Sequence, residues 1–194
     1  MNVLVACEES QRVMLEFRKL GHRAFSCDIK DCSGEFPEWH IKGDVRPVIE
    51  YNSWDLIIAH PPCTYLAKSG SCNLVNGSGV IINQRRYEEM LKARDFFYFF
   101  YDLEGVKVCI ENPVAMKRAN LPPYSQIIQP FQFGDNFSKQ TCLWLKGLPY
   151  LIPECYALNK RSFGESWCAV HRSAAQRSKT FPGIARAMAL QWGR

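Results

Sequence analysis

Short apolar runs alternate along the chain with stretches of helical periodicity. Residues 2–7 (NVLVAC) read as a first strand. Residues 11–20 set Val13, Met14, Phe17 and Leu20 at the spacing of an amphipathic helix, and Gly21 follows as its stop. Residues 24–27 predict a second strand ending at Asp28, and a short third strand precedes Gly43-Asp44. Residues 54–59 predict a fourth, halted by Pro61-Pro62. Asn83 is placed to cap a long helix reaching about residue 103, with Tyr87, Met90, Leu91, Phe97, Tyr98 and Tyr101 along one side. Residues 106–110 predict a fifth strand. Residues 127–133 and 141–145 predict two more, with little helix between them. Pro182 opens a last helix through Ile184, Ala185, Met188 and Trp192.

Strand alternating with helix predicts an α/β fold, a mostly parallel sheet covered on both faces. The last two strands, close in sequence, suit an antiparallel pair at the sheet edge. Three segments follow: an α/β domain over 1–150, a short irregular basic insert over 151–181 that lacks periodicity, and a helix over 182–194 returning to the domain. No internal repeat is visible. The glycine- and serine-rich stretch 70–79, containing NGSG, predicts a mobile loop.

Composition narrows the class. At 194 residues the chain suits one domain with a small appendage. It is 47% hydrophobic and 22% charged, which excludes wholesale disorder. No apolar run approaches the ~20 residues of a membrane span, and charges follow the first apolar run at once, unlike a signal peptide. A cytoplasmic protein without membrane association is the expectation. The nine cysteines are odd in number and scattered, several within apolar runs, which suits reduced core residues in a reducing compartment.

Charge is uneven. From residue 155 onward, Lys160, Arg161, Arg172, Arg177, Lys179, Arg186 and Arg194 face a single acid, Glu165, for a net +6. The rest holds 17 basic and 18 acidic residues. A basic C-terminal fifth on a neutral body points to an anionic partner, nucleic acid first. A solvated charged face is the plainer reading of the same residues.

In an open parallel sheet, ligands bind beyond the carboxyl ends of the strands. The residues there are polar and reactive. After the first strand come Cys7, Glu8 and Ser10; after the second, Asp28 and Ile29; after the third, Asp44 and Val45. The fourth leads into His60-Pro61-Pro62-Cys63, and the fifth into Glu111-Asn112-Pro113. An acid after the second strand can accept both hydroxyls of a ribose, although Asp28 also suits a turn cap. Asp44 can accept from an adenine amine while the Val45 amide donates to the ring, but Gly-Asp is also a common turn. Cys63 is held rigidly by two prolines at a strand end, where a thiolate would be a strong nucleophile. A carboxylate such as Glu111 at the end of a central strand is costly unless partnered.

Together these residues resemble the catalytic domain of DNA cytosine-5 methyltransferases. The matches run in the same order: Asp28, Gly43-Asp44-Val45, Pro62-Cys63, Glu111-Asn112 with Pro113 in place of the usual Val, and a closing segment over 180–192. More narrowly, VLVACEES, AHPPCTYL, IENP, QPFQFG, TCLWLKGLP and RSKTFPGIARAMALQWG are similar to small phage-type members. The resemblance implies a Rossmann-like sheet binding S-adenosyl-L-methionine through Cys7, Glu8, Ser10, Asp28, Ile29, Asp44, Val45 and Pro61. It implies a Cys63 nucleophile backed by Pro62, with Glu111 and Asn112 on the target base. It implies DNA contacts from Ser69 in the lid loop, from Lys139, and from Lys160, Arg161, Arg172, Arg177 and Lys179, with Phe163 and Trp167 interleaved as stacking surfaces.

The chain departs from that family at three points. Its first loop, Cys7-Glu8-Glu9-Ser10-Gln11, has no glycine. Only Lys139 stands near the family's Gln-x-Arg-x-Arg position. Some 30 residues, 148–179, occupy the place of a target-recognition domain. RNA or a free nucleotide therefore stays open beside DNA as the substrate, and so does the oligomeric state. Two other enzymatic or metal readings fit less well. His60-Pro-Pro-Cys63 resembles the Pro-Pro signature of amino-methyltransferases but lacks their amine acceptor and aromatic. Cys155, Cys168 and His171 have ligand-like spacing without a fourth ligand, so no metal is expected. The non-enzymatic reading is a catalytically degenerate phage-type protein that sequesters a nucleotide or cofactor.

Overall fold

A computed structural model of the chain describes residues 1–153, 166, 173, 176 and 178–194. Seven strands form one sheet: β1 Asn2–Ala6, β2 Arg23–Asp28, β3 His40–Lys42, β4 Leu56–Ala59, β5 Lys107–Pro113, β6 Gln126–Ile128 and β7 Thr141–Lys146. Their spatial order is β3-β2-β1-β4-β5-β7-β6. The first five are parallel to their neighbours; β7 runs antiparallel to β5, and β6 antiparallel to β7. This is a Rossmann-like doubly wound sheet with an antiparallel edge pair.

Four helices lie wholly within the described residues: α1 Arg12–Lys19, α2 Val45–Glu50, α3 Gln84–Tyr101 and α4 Pro182–Trp192. They divide between the two faces because alternate residues of each strand point opposite ways. Val3 and Val5 of β1, with Leu56 and Ile58 of β4, pack against Val13, Met14 and Phe17 of α1 and Ile184, Met188 and Trp192 of α4. Leu4, Ala6, Ile57 and Ala59 face the other way, onto Met90, Phe97 and Phe100 of α3. α3 starts where its cap predicts: the Asn83 side chain accepts the Arg86 amide at 2.9 Å.

Three local features differ from the sequence expectation. The segment 127–133 is not one strand. β6 stops at Ile128, and Pro130–Phe133 form a short 3-10 turn. Pro130 has no amide to donate, and Gln129 and Gln132 cap the turn reciprocally. β5 runs three residues beyond Ile110, because β7 pairs with it as far as Pro113 opposite Thr141. α2 was not visible as an apolar pattern; it is one short helix started by Asp44, whose side chain accepts the Arg46 amide.

Lys68–Asn73 form a 3-10 turn, and Leu66 and Leu74 are buried anchors. The Asn76 side chain accepts the amides of Ser78 and Val80 at 3.1 and 2.9 Å. Within the expected insert 151–181, Lys160, Arg161, Arg172, Arg177, Phe163, Trp167, Cys155, Cys168 and His171 lie outside the described residues. Among the described residues, no helix is long and apolar enough to cross a membrane.

Candidate functional site

The carboxyl ends of β1, β4, β5 and the start of β7 lie side by side. β4 and β5 are in parallel register with Ala59 beside Ile110. The next residue on each, His60 and Glu111, are therefore neighbours. His60 Nδ1 lies 2.9 Å from Glu111 Oε2. One residue further, the Asn112 side-chain Nδ2 donates to the Pro61 carbonyl at 3.3 Å. Two consecutive cross-strand bonds thus fix the start of the Pro-Pro-Cys turn to the Glu-Asn pair. Pro61 is buried, Pro62 exposed and Cys63 half-buried.

The Cys63 turn is held from three sides. Its own carbonyl accepts the amides of Leu66 and Ala67 at 3.0 and 2.9 Å. Arg86, in the first turn of α3, donates to the Thr64 carbonyl at 2.9 Å and lies over the Tyr65 ring. The segment after β5 closes the third side, with Lys68 donating to the Val114 carbonyl and Met116 to that of Leu66, both at 2.8 Å. Cys63 is reduced, and unlike Cys27, Cys109 and Cys142 it is not in the core. Ser69 is exposed on the loop beyond it.

Behind Glu111 is a small recess lined also by Lys139, Thr141, Thr180, Phe181 and Ile184. The amino end of α4 thus borders the site. Arg12 of α1 ties it down by donating to the Thr180 carbonyl at 3.0 Å. Burial alone would push the Glu111 carboxyl up. The His60 hydrogen bond, the Lys139 charge and the His60 charge outweigh it and hold the carboxyl below its ordinary value. Lys139 therefore reaches Glu111 electrostatically from the position the sequence singled out.

The first loop is built differently from a glycine-rich cradle. Glu8 is 4% exposed. Its carboxylate accepts the amides of Val13 and Met14, at the open amino end of α1. That is where a phosphate or carboxylate ligand sits in many nucleotide-binding sheets. Here the protein's own acid fills it. Cys7 and Gln11 both take the left-handed backbone conformation that glycine would otherwise supply, each at φ 59°. Burial raises the Cys7 thiol far above its ordinary range, helped by Asp28, so it is no thiolate. The Gln11 side chain is spent on the backbone of Phe36, and Ser33 bonds Glu9. Ser10 is half-buried on the same loop.

Asp28 accepts the Lys30 amide at 2.9 Å through one oxygen, and among the described residues no bond engages the other. Ile29 is 75% exposed, a bare apolar side chain beside a free carboxylate oxygen. Asp44 has both oxygens engaged by Arg46, one by its amide and one by its guanidinium. Val45 is buried at the first position of α2. Lys179 donates to the Ser33 hydroxyl at 3.3 Å, which puts this cation over the first loop.

His60 is the residue that sequence reasoning passed over. Its position one step past β4 and Glu111's one step past the level of Ile110 on β5 hold the signal, because parallel neighbours that end together pair the residues that follow.

No family model matches the chain, and no curated protein matches it. Among solved structures 37 chains match. One is a protein provisionally described as a DNA modification methyltransferase encoded within a prophage (E. coli), with 16% identity and a TM-score of 0.50 over 79% of this chain and 51% of that one. The chain spans about half the length of that structure. The likeness supports the Rossmann-like fold described above.

Proposed function

We propose that the protein is an S-adenosyl-L-methionine-dependent methyltransferase that acts on C5 of cytosine in DNA through a covalent Cys63 intermediate. The observation that carries this reading is the pair of bonds, His60 to Glu111 and Asn112 to Pro61, that ties the start of the His60-Pro61-Pro62-Cys63 turn to Glu111-Asn112 at the carboxyl end of the sheet, with Cys63 half-buried two residues further on.

The residues of the first three strand ends fit the cofactor. Asp28 has a carboxylate oxygen to take the ribose hydroxyls, and Ile29 offers an exposed apolar surface for the adenine. Asp44 and the Val45 amide would meet the adenine edge. Glu8 already fills the anion position at α1, which leaves no place there for a ligand phosphate. When bound, S-adenosyl-L-methionine supplies an electrophilic methyl group.

The chain's own groups would do the rest. The Cys63 thiolate adds to C6 of the base, and the electron pair of the C5–C6 double bond becomes available at C5. Glu111 accepts from the N4 amine at the base's N3–N4 edge. Once C5 carries the methyl, loss of its proton to water re-forms the double bond and expels Cys63. The base reaches this site only when out of the duplex stack. The loop 64–82, whose first residue is held by Arg86, would serve as a lid that closes to exclude water.

A second reading rests on the glycine-free first loop, in which Glu8 takes the place of a cradle. The protein would then bind a nucleotide or cofactor without turning it over. One experiment separates the two. DNA in which cytosine is replaced by 5-fluorocytosine, incubated with the protein and S-adenosyl-L-methionine, should give a denaturation-resistant adduct, since fluorine cannot leave as a proton. Cys63→Ser should give none. Absence of an adduct with duplex and single strand alike, with cofactor binding intact by calorimetry, supports the second reading.

A further inference from the structure

We infer that His60 is a positioning residue for Glu111 in the cytosine reaction. It holds one carboxylate oxygen and leaves the other to meet the base. The inference rests on the reading proposed above and deepens it.

The geometry is specific. His60 Nδ1 lies 2.9 Å from Glu111 Oε2, with side chains only 9% and 11% exposed. A fixed Oε2 turns a two-fold symmetric carboxylate into a directed group, with Oε1 alone available for a ligand. His60 Nε2 is also buried and has no partner among the described residues. A histidine retained solely for packing does not need a nine-tenths buried, unbonded nitrogen.

The charges form an alternating row along the carboxyl edge. Glu8 follows β1, His60 follows β4, Glu111 lies on β5, and Lys139 precedes β7. These strands are neighbours in that order. Each group acts on the next: His60 lies between the fields of Glu8 and Glu111, and Glu111 between those of His60 and Lys139. Burial pulls the imidazole down. The hydrogen bond and charge of Glu111, with the charge of Glu8, outweigh burial and the opposing Lys139, so its net shift is upward. Each partner thus favours the charged form of the other.

That polarity matters to the chemistry. Thiolate addition at C6 sends negative charge towards N3 of the base. A bare carboxylate at that edge would oppose it. With His60 and Lys139 charged on either side, the local field turns favourable while Glu111 still accepts from the N4 amine.

The test uses full-length protein, S-adenosyl-L-methionine and the 5-fluorocytosine DNA, reading the rate of adduct formation against pH. His60→Ala removes both hydrogen bond and charge and should slow trapping roughly 100-fold, the cost of a loosened catalytic group. His60→Asn keeps a donor near Oε2 and should recover part of that rate. The wild-type rate should fall as pH rises through the His60 titration, and His60→Asn should lose that falling limb. Wild-type trapping with unchanged variant rates and pH profiles overturns the role of His60 and leaves the cytosine reading intact. No wild-type adduct on any DNA overturns both. Imidazole ¹⁵N NMR gives a separate readout without cofactor or DNA: the His60 pKa should lie above the ordinary value and drop in Glu111→Gln, and an unshifted His60 overturns the pair.

Discussion

The carboxylate of Glu8 accepts the amide of Val13 at 2.8 Å, so helix α1 is capped by a buried acid from the loop that precedes it. The cap itself, Gln11, has no side-chain bond to the helix and sits in the left-handed conformation. Glu8 thus replaces both the usual capping side chain and the glycine-lined space that a ligand would enter. One residue therefore shapes the stability of α1 and the chemistry of the first loop together.

Removing that acid should be felt in stability. Glu8→Ala leaves two buried amides of α1 without an acceptor and should cost roughly 1–3 kcal/mol. Glu8→Gln keeps one acceptor and should cost less. Burial raises the Glu8 carboxyl above its ordinary 4.5, against the pull of His60 and the two amides. An acid raised on folding binds more protons folded than unfolded above that value, so its contribution to stability falls as pH climbs. Glu8→Gln is free of this loss. Its stability relative to wild type should therefore improve from pH 5 to pH 8, on a scale set by the ordinary carboxylate range. Urea unfolding at the two pH values checks it, and a pH-independent difference would show that the Glu8 charge does not matter.

The parallel core was legible because each buried strand is a short apolar run closed by a turn signal, as in residues 2–7 and 54–59. α3 was legible through Asn83 and its aromatic side. Features set by side-chain bonds rather than by periodicity were not. α2 depends on Asp44 and Arg46, and the 3-10 turn after Ile128 depends on Gln129 and Gln132. In the site, individual residues at strand ends could be named, but their pairing needed the register. The order β1-β4-β5-β7 brings His60 to Glu111 and Lys139 to its far side. Nothing local to Ala-His-Pro-Pro announces a partner 51 residues away.

Asp28 is the most direct test of the cofactor site. Its one engaged oxygen makes a two-residue turn with Lys30, leaving the other for a ligand. Asp28→Ala should weaken S-adenosyl-L-methionine roughly tenfold or more, the loss of a hydrogen bond to a charged acceptor at about 1.5–3 kcal/mol. Asp28→Asn, which keeps an acceptor, should weaken it less. Calorimetry on the three proteins reads the order, and equal affinities would remove Asp28 from the site.

Gly183 reports on how closely α4 docks beside Glu111. A Cβ at this position would lie 1.9 Å from the Phe133 carbonyl oxygen, a backbone atom that cannot swing aside. The Gly183 amide also donates to Asp135 at 3.0 Å. Gly183→Ala should therefore displace the first turn of α4 and destabilise the fold by roughly 1–3 kcal/mol, despite alanine's better helix propensity. Thermal unfolding measures it. A variant as stable as wild type would mean that the turn 130–134 yields without cost.

Lys179 tests whether the polymer lies over this end of the sheet. Of the five C-terminal cations expected to contact DNA it is the one among the described residues, and its ammonium bonds Ser33, whose hydroxyl in turn bonds Glu9 of the first loop. A phosphate contact here would carry position and little sequence information. Binding of a mixed-sequence oligonucleotide should weaken steeply between about 50 and 200 mM salt as neutralised phosphates release their counterions. Lys179→Ala should weaken binding to all sequences alike and reduce the slope of log affinity against log salt by about one. Fluorescence anisotropy across a salt series gives both quantities. An unchanged slope would place Lys179 off the polymer's path and assign it to holding the first loop. No binding at low salt by the wild-type protein would turn the substrate from polymer to free nucleotide.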